Sequence, residues 1–146
     1  DIDGGLKPYR TGDNISFSGR SRVLDSATMR MELGISDTTG GIIEVAPNGI
    51  CSRNSTSGQV ILTRAASVGG NTEIVASIDT NYHDYRWEAT TTSVIGHSDT
   101  TSKTRTANIP AGTTMLGGTV ITIGNSGIAT NFIGAVDFYM LYMNRA

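Results

Sequence analysis

Two stretches near the start of the chain alternate residue by residue between apolar or small side chains and polar ones. In ISFSGRSRV (15–23) and MRMELGI (29–35), the apolar residues fall only at every second position. A period of two belongs to a β-strand with one buried face, whereas an amphipathic helix spaces its apolar residues three and four apart. The alternation therefore predicts two strands that each send one face into a core.

Clusters of Gly, Asn, Asp and Ser punctuate the rest of the chain as turn signals. The runs between them are short and rich in Thr, Val and Ile, which predicts further strands. These strands are predicted at 42–45, 59–66, 72–80, 89–95, 103–109, 118–124 and 132–143. A polar loop is expected at 96–102. About nine or ten short strands without a helix predict an all-β domain, as a two-sheet sandwich or a barrel.

Composition limits the kind of domain and partner. The chain has 146 residues, of which 18 are glycine, 38% are hydrophobic and 16% are charged, and this suits one turn-rich β-domain. A net charge of −2 with scattered cations argues against a nucleic-acid partner. No apolar run reaches the roughly 18–20 residues of a membrane span, so no membrane insertion is expected.

The single cysteine and the start of the chain add two further expectations. Cys51 is the only cysteine, so no internal disulfide can form, and we expect its thiol to be buried as a small hydrophobe. The chain begins at Asp1 without a signal sequence. We therefore expect residues 1–146 to be a single domain excised from a larger protein.

Three segments carry a resemblance to a known family: TGDNISFSGRSRV (11–23), SKTRTANIPAGT (102–113) and GAVDFYML (134–141). They resemble jelly-roll carbohydrate-binding modules, of the kind found in phage tail and baseplate adhesins and beside glycoside hydrolases. The resemblance implies an antiparallel two-sheet β-sandwich (jelly roll). It also implies a structural calcium ion held by the Asp of the last strand and a group near the N-terminus, here Asp137 and Asp3. Asp137 capping a turn or pairing with a surface cation is the alternative.

The candidate binding residues come from the run NYHDYRWE (81–88). Sugar recognition needs a flat aromatic face and planar polar side chains that bond hydroxyls in pairs, and this run supplies both. The predicted ligand-binding residues are Asn81, Tyr82, His83, Asp84, Tyr85, Arg86 and Trp87. In a regular strand Tyr85 and Trp87 share a face with Asn81 and His83. Trp87, followed by Ala89 on that face, could equally belong to the core, and both interpretations stay open.

The sequence predicts no catalysis. The carboxylates lie in no recognisable catalytic setting, and His83 and His97 stand apart from each other. Neither a nucleophile elbow, nor a paired-histidine metal motif, nor a phosphate-binding glycine loop is present.

The leading hypothesis is therefore a non-catalytic domain that binds a cell-surface glycan, as the receptor-recognition part of an extracellular phage tail fibre or baseplate adhesin. The rival hypothesis is a structural tip or decoration domain that forms a homo-trimer within a virion. Its basis is the last strand, which has apolar residues on both faces if it is regular. Val136, Phe138 and Met140 would occupy one face, and Asp137, Tyr139, Leu141 and Met143 the other.

Overall fold

The computed structural model describes residues 10–23, 29–37, 46–55, 58–116, 118–125 and 134–143. These residues form ten strands and one short 3-10 turn, Thr11–Asp13. The strands are β1 Ile15–Val23, β2 Met29–Ser36, β3 Gly49–Ser55, β4 Gly58–Ala65, β5 Val68–Val75, β6 His83–Ala89, β7 Val94–Ser98, β8 Thr101–Arg105, β9 Gly118–Asn125 and β10 Gly134–Met143. The predicted strand at 42–45 lies outside the described residues. Within them, nothing helical has the length and apolarity that a bilayer crossing requires.

The ten strands pack as two five-stranded sheets. The first sheet has the order β10-β1-β6-β7-β8, and the second has the order β5-β4-β3-β2-β9. Every pairing is antiparallel. The predicted all-β, antiparallel two-sheet sandwich is confirmed.

The core lies between the sheets and is built by the predicted alternation. Ile15, Phe17 and Val23 of β1 are buried together with the small Gly19 and Ser21, while Ser16, Ser18, Arg20 and Arg22 between them are at least partly exposed. The aromatic centre of the core is the pair Phe17 and Trp87, with parallel rings whose centroids are 5.7 Å apart. The remaining core residues are Met31, Leu33, Ile35, Ile50, Ile61, Ile74, Ala89, Val94 and Leu116. Cys51 is buried beside Leu62 in a smaller cluster, as predicted.

Two predicted boundaries on the first sheet are wrong. Residues 89–95 are not one strand, because Thr90–Ser93 form a turn between β6 and β7. The Thr90 hydroxyl accepts hydrogen bonds from the amides of Thr92 and Ser93, and such local bonds compete with a strand ladder. Residues 96–102 are not a loop but the β7–β8 hairpin, which turns at Asp99 in a left-handed conformation with φ 48°.

The second sheet differs from the prediction in a similar way. The strand predicted at 72–80 begins at Val68 and ends at Val75. It begins early because Ala66 and Ser67 both have positive φ, 49° and 66°, and two such residues make the tight turn that joins paired strands. Asn54 and Ser55 belong to one of the polar clusters that predict a turn, the segment 54–58, but they complete β3 instead.

A bulge in β10 changes which residues face the core. Arg20 lies opposite Phe138 but the next residue, Ser21, lies opposite Val136, so Asp137 is an extra residue in β10. Val136 packs against the core, whereas Phe138 and Met140 are 41% and 45% exposed on the outer face. The prediction that these three residues share one face is wrong, because it assumed an unbroken period of two.

Polar side chains join the two sheets near their ends. At one end Asn54 Nδ2 of β3 donates a hydrogen bond to Ser21 Oγ of β1 at 3.3 Å. At the other end the buried Arg105 of β8 donates to the Thr63 hydroxyl of β4 and, at 2.9 Å, to the Asn71 carbonyl oxygen of β5. Buried donors need such partners, so these contacts fix how the sheets are aligned.

Candidate ligand-binding groove

The outer face of the first sheet presents a row of polar side chains. Ser18 of β1 lies opposite Arg86 of β6, and Arg86 lies opposite His97 of β7. Side chains directly opposite each other in antiparallel strands are within contact distance. Alternation points all three away from the core, since Phe17, Trp87 and Gly96 occupy the inward positions beside them. The sheet therefore gathers residues that are far apart in the sequence.

Arg86 occupies the middle of this row. One of its terminal nitrogens, Nη2, lies 3.1 Å from Glu88 Oε1 and 3.5 Å from His97 Nε2. Burial, together with the positive charge of Arg86, lowers the pKa of His97. At neutral pH His97 is therefore uncharged, with one ring nitrogen that donates a hydrogen bond and one that accepts. Arg86 itself is 52% exposed and can bind a solute.

These side chains line a groove of about 450 Å³. Its lining residues are Ser18, Asp84, Tyr85, Arg86, His97, Asp99 and Phe138. Phe138 is the aromatic wall, placed there by the bulge at Asp137. A volume in the range of small-molecule sites, an exposed ring and convergent donors and acceptors are the usual features of a binding pocket for a polar solute.

The predicted run 81–88 contributes only part of this groove. Asp84, Tyr85 and Arg86 line it, whereas Asn81, Tyr82 and His83 do not. The run does alternate as predicted, with Tyr85, Trp87 and Ala89 buried and Asp84 and Arg86 exposed. Asn81 and Tyr82 precede the first residue of β6.

The prediction of Tyr85 and Trp87 as residues that stack on a ligand is corrected by their burial. Trp87 is 0% exposed and Tyr85 is 1% exposed. Neither ring offers a face to a solute, because Trp87 packs on Phe17 and the second sheet covers this side of β6. Of the two interpretations of Trp87, the core residue is the one the structure supports.

His83 has a structural partner on each side of its ring. Its Nδ1 lies 2.7 Å from Asp99 Oδ2, and its Nε2 lies 3.0 Å from Asp79 Oδ1. Asp99 also accepts a hydrogen bond from the Asp84 amide at 2.9 Å, so this cluster ties the β7–β8 turn to the start of β6. Burial alone would lower the pKa of His83, but hydrogen bonds to Asp99 and Asp79 outweigh it and raise that pKa. His83 thus supports the edge of the groove rather than lining it.

The sequence did not predict His97, Ser18, Asp99 or Phe138 as site residues. The HSD segment (97–99) carried a usable signal, since Asp in a short polar stretch between strands is typical of a hairpin turn. Phe138 carried none, because a bulge cannot be located from the alternation of one strand alone.

The calcium prediction is only partly covered by the described residues. Asp3 lies outside them. Asp137 is exposed, and its Oδ2 lies 4.0 Å from Arg20 Nη1. Arg20 is therefore the surface cation with which the alternative interpretation would pair Asp137. Calcium needs six to eight oxygen ligands, and within the described ranges no three His, Cys, Asp or Glu side chains are arranged to hold a metal ion. The calcium ion stays a prediction.

Comparison with known proteins identifies the fold. No protein-family model matches the sequence, and no curated protein matches it. Among solved structures, sheep galectin-11 in complex with glycerol matches 93% of this chain and 95% of its own, with a TM-score of 0.56 and 7% identity. The fold is a jelly-roll β-sandwich.

Two enzymes have the same jelly roll. A native glycosidic hydrolase matches 92% of this chain and 66% of its own, with a TM-score of 0.66 and 15% identity. An alginate lyase matches 97% of this chain and 68% of its own, with a TM-score of 0.57 and 8% identity. Because a galectin and two enzymes all have it, the jelly roll alone does not distinguish binding from catalysis.

Proposed function

We propose that this chain is a carbohydrate-binding domain whose ligand lies in the groove on the outer face of the first sheet. The observation that carries the proposal is the convergence of Arg86, uncharged His97 and Asp84 beside the exposed ring of Phe138. The jelly-roll fold, shared with a galectin, supports it at the level of architecture.

The groove has the chemistry that sugar hydroxyls require. Arg86 supplies several N–H donors in a plane, Asp84 supplies acceptors, and neutral His97 supplies one of each. A pyranose presents neighbouring hydroxyls that donate and accept together, so groups of both kinds are needed within one ring's width. Phe138 provides the apolar surface on which the C–H face of such a ring packs.

We further propose that the domain is displayed outside the cell as the receptor-recognition part of a phage tail fibre or baseplate adhesin. The support is the resemblance of segments 11–23, 102–113 and 134–141 to modules of that kind. An open groove with exposed walls binds weakly per site, and several copies on one particle would gain strength by avidity. A calcium ion at Asp137 and Asp3 is part of the same proposal, and thermal unfolding with calcium and with a chelator tests it.

The rival proposal, a structural trimer, rests on a specific observation. Among the described strands, β10 lies at the edge of the first sheet, and Phe138 and Met140 are both exposed on it. A second copy could cover this strip. Light scattering at several protein concentrations separates the proposals, since a stable trimer favours the structural role and a monomer that binds glycans favours recognition.

The groove is tested by Arg86→Gln and Phe138→Ser on a glycan array, followed by titration of every glycan that wild type binds. Hydrogen bonds from a charged donor contribute about 1.5–3 kcal/mol, so Arg86→Gln should weaken binding roughly 10- to 150-fold. Lys103→Gln removes one positive charge from exposed strand β8 outside the groove and should leave binding unchanged. Circular dichroism checks that all three variants fold. Wild-type affinity in both groove variants would show that the ligand binds elsewhere.

A further inference from the structure

A second polar cluster lies on the same outer face, beside the groove. Arg20 and Arg22 of β1 both approach the ring of Tyr82, with guanidinium carbons 5.5 Å and 4.7 Å from its centroid. Tyr82 is 37% exposed, so the cluster is open to solvent. We call these three residues the arginine–tyrosine cluster. Stacking on an aromatic ring holds a guanidinium plane in place and leaves its N–H edge free to bind.

Arg22 has unused donors. No hydrogen bond or ion pair joins it to any residue in the described part of the chain. Its Nε is buried without an acceptor, although the residue as a whole is partly exposed. The terminal edge of Arg22 is therefore the edge that a solute can reach.

Arg20 is held only loosely. Its Nε lies 3.7 Å from Asp84 Oδ1 and its Nη1 lies 4.0 Å from Asp137 Oδ2, with all three side chains 45% exposed or more. Exposed ion pairs at such distances contribute little and are easily replaced by a better acceptor. Arg20 can therefore turn toward an anion bound at Arg22.

We propose that the arginine–tyrosine cluster is a subsite for an oxyanion on the glycan, either a carboxylate or a sulfate group. The inference rests on the proposed function, because it assigns the ligand to the acidic glycans. Guanidinium groups bind planar and tetrahedral oxyanions through paired N–H bonds, and each of the two guanidinium groups beside Tyr82 can supply such a pair. A polyanion such as nucleic acid fits poorly, since Asp84, Glu88 and Asp99 lie along the same face and the net charge is −2.

The spacing fixes the size of the ligand. Asp84 lines the groove and lies opposite Arg20, so the cluster and the groove are continuous. Arg22 is four residues along β1 from Ser18, which faces Arg86, and a strand advances about 3.3 Å per residue. An anion level with the backbone of Arg22 would therefore sit about 13 Å along β1 from the position of Arg86. That distance exceeds one pyranose ring, so the ligand is at least a disaccharide with its acidic group toward Tyr82.

The anion subsite is tested without any glycan by titrating isotope-labelled protein with sodium sulfate, and separately with sodium acetate, at constant ionic strength. Amide chemical shifts at residues 20–22 and 82–84 should change and saturate. Arg22→Gln should weaken this binding at least about 10-fold, because the fork of donors is lost. Lys103→Gln, which removes the same charge from β8, should have no effect. The preferred anion, sulfate or acetate, identifies the acidic group.

Tyr82→Ala provides a second route should Arg22→Gln fail to fold, since Tyr82 is exposed and its removal frees the Arg22 side chain. It should weaken anion binding, whereas Tyr82→Phe should preserve it. Shifts that rise linearly without saturation, or that persist unchanged in Arg22→Gln and Tyr82→Ala, would overturn the subsite.

Glycan titrations separate this inference from the proposed function. Each glycan that binds is compared with its sulfated or uronic-acid counterpart, and the acidic form should bind at least about 10-fold more tightly to wild type but not to Arg22→Gln. Loss of glycan binding in Arg86→Gln with no acidic preference would leave the groove standing and remove the subsite. Saturable sulfate binding at Arg22 without any glycan binding would leave the anion subsite standing and remove the proposed glycan-binding function.

Discussion

Replacing Trp87 by alanine tests the assignment of this residue to the core. Trp87 is 0% exposed, and its ring stacks on Phe17 with centroids 5.7 Å apart. Truncating a fully buried tryptophan to alanine costs about 3–5 kcal/mol, because apolar burial is lost and a cavity remains. Domains of this size have a total stability of about 5–15 kcal/mol. Trp87→Ala should therefore lose a large share of the free energy of unfolding.

The measurement is urea unfolding followed by far-UV circular dichroism, together with a thermal scan. A loss of about 3–5 kcal/mol should lower the melting temperature by roughly 6–20 °C, at about 2–4 °C per kcal/mol for a chain of this length. Tyr82→Ala is the matched control: its ring is 37% exposed, and its loss should cost less than about 1 kcal/mol. The wild-type protein provides an independent reading, since Trp87 is its only tryptophan.

Native Trp87 fluorescence should be blue-shifted and protected from acrylamide, and both properties should disappear in urea. A Trp87→Ala variant with the wild-type urea midpoint would contradict the argument. So would native fluorescence quenched as strongly as that of the unfolded chain, because the ring would then face solvent.

Two further predictions concern the His83 cluster and the contact between the sheets. Because the pKa of His83 is raised above its unfolded value of 6.5, its contribution to stability should be complete below about pH 6.5 and should be lost as the pH rises through the folded-state pKa. The wild-type urea midpoint minus that of His83→Gln should therefore decrease as the pH is raised from 5 to 9. A difference that stays constant would show that Asp79 and Asp99 do not stabilise the charged ring. Gly96→Ala should lose about 1–3 kcal/mol in urea unfolding, because a Cβ on Gly96 would collide with Ile61 of the facing sheet, and wild-type stability would show that the sheets can separate freely.

Local patterns predicted the fold because burial in a sandwich repeats at the period that the sequence displays. The alternation in 15–23 and 29–35 placed Phe17 and Leu33 in the core, and both are 0% exposed. The predicted strand boundaries were wrong where a side chain hydrogen-bonds the backbone of residues next to it in the sequence. Thr90 ends a strand by accepting amide bonds from its neighbours, and nothing distinguishes such a threonine from one inside a strand when only residue types are compared.

The site was less predictable because it depends on register between strands. The aromatic run 81–88 drew attention to β6, and Asp84 and Arg86 do line the groove. Their partners come from β1, β7 and β10, which pair with β6 or with one another at alignments that no local pattern contains. Burial also separated the residues of the run, because Trp87 lies in the core and Phe138, from another strand, is the exposed ring of the groove.

The extra residue at Asp137 makes the length of the last strand a determinant of surface chemistry. Val136 already pairs with Ser21 and Phe138 with Arg20, so deleting Asp137 would make them consecutive residues that keep their present faces. Deleting Tyr139 instead would make Phe138 and Met140 consecutive, and one of the two would then have to turn from the outer face toward the core. The bulge is therefore a place where β10 can lose a residue without exchanging its two faces, whereas a loss further along the strand would change which side chains the groove offers to a ligand.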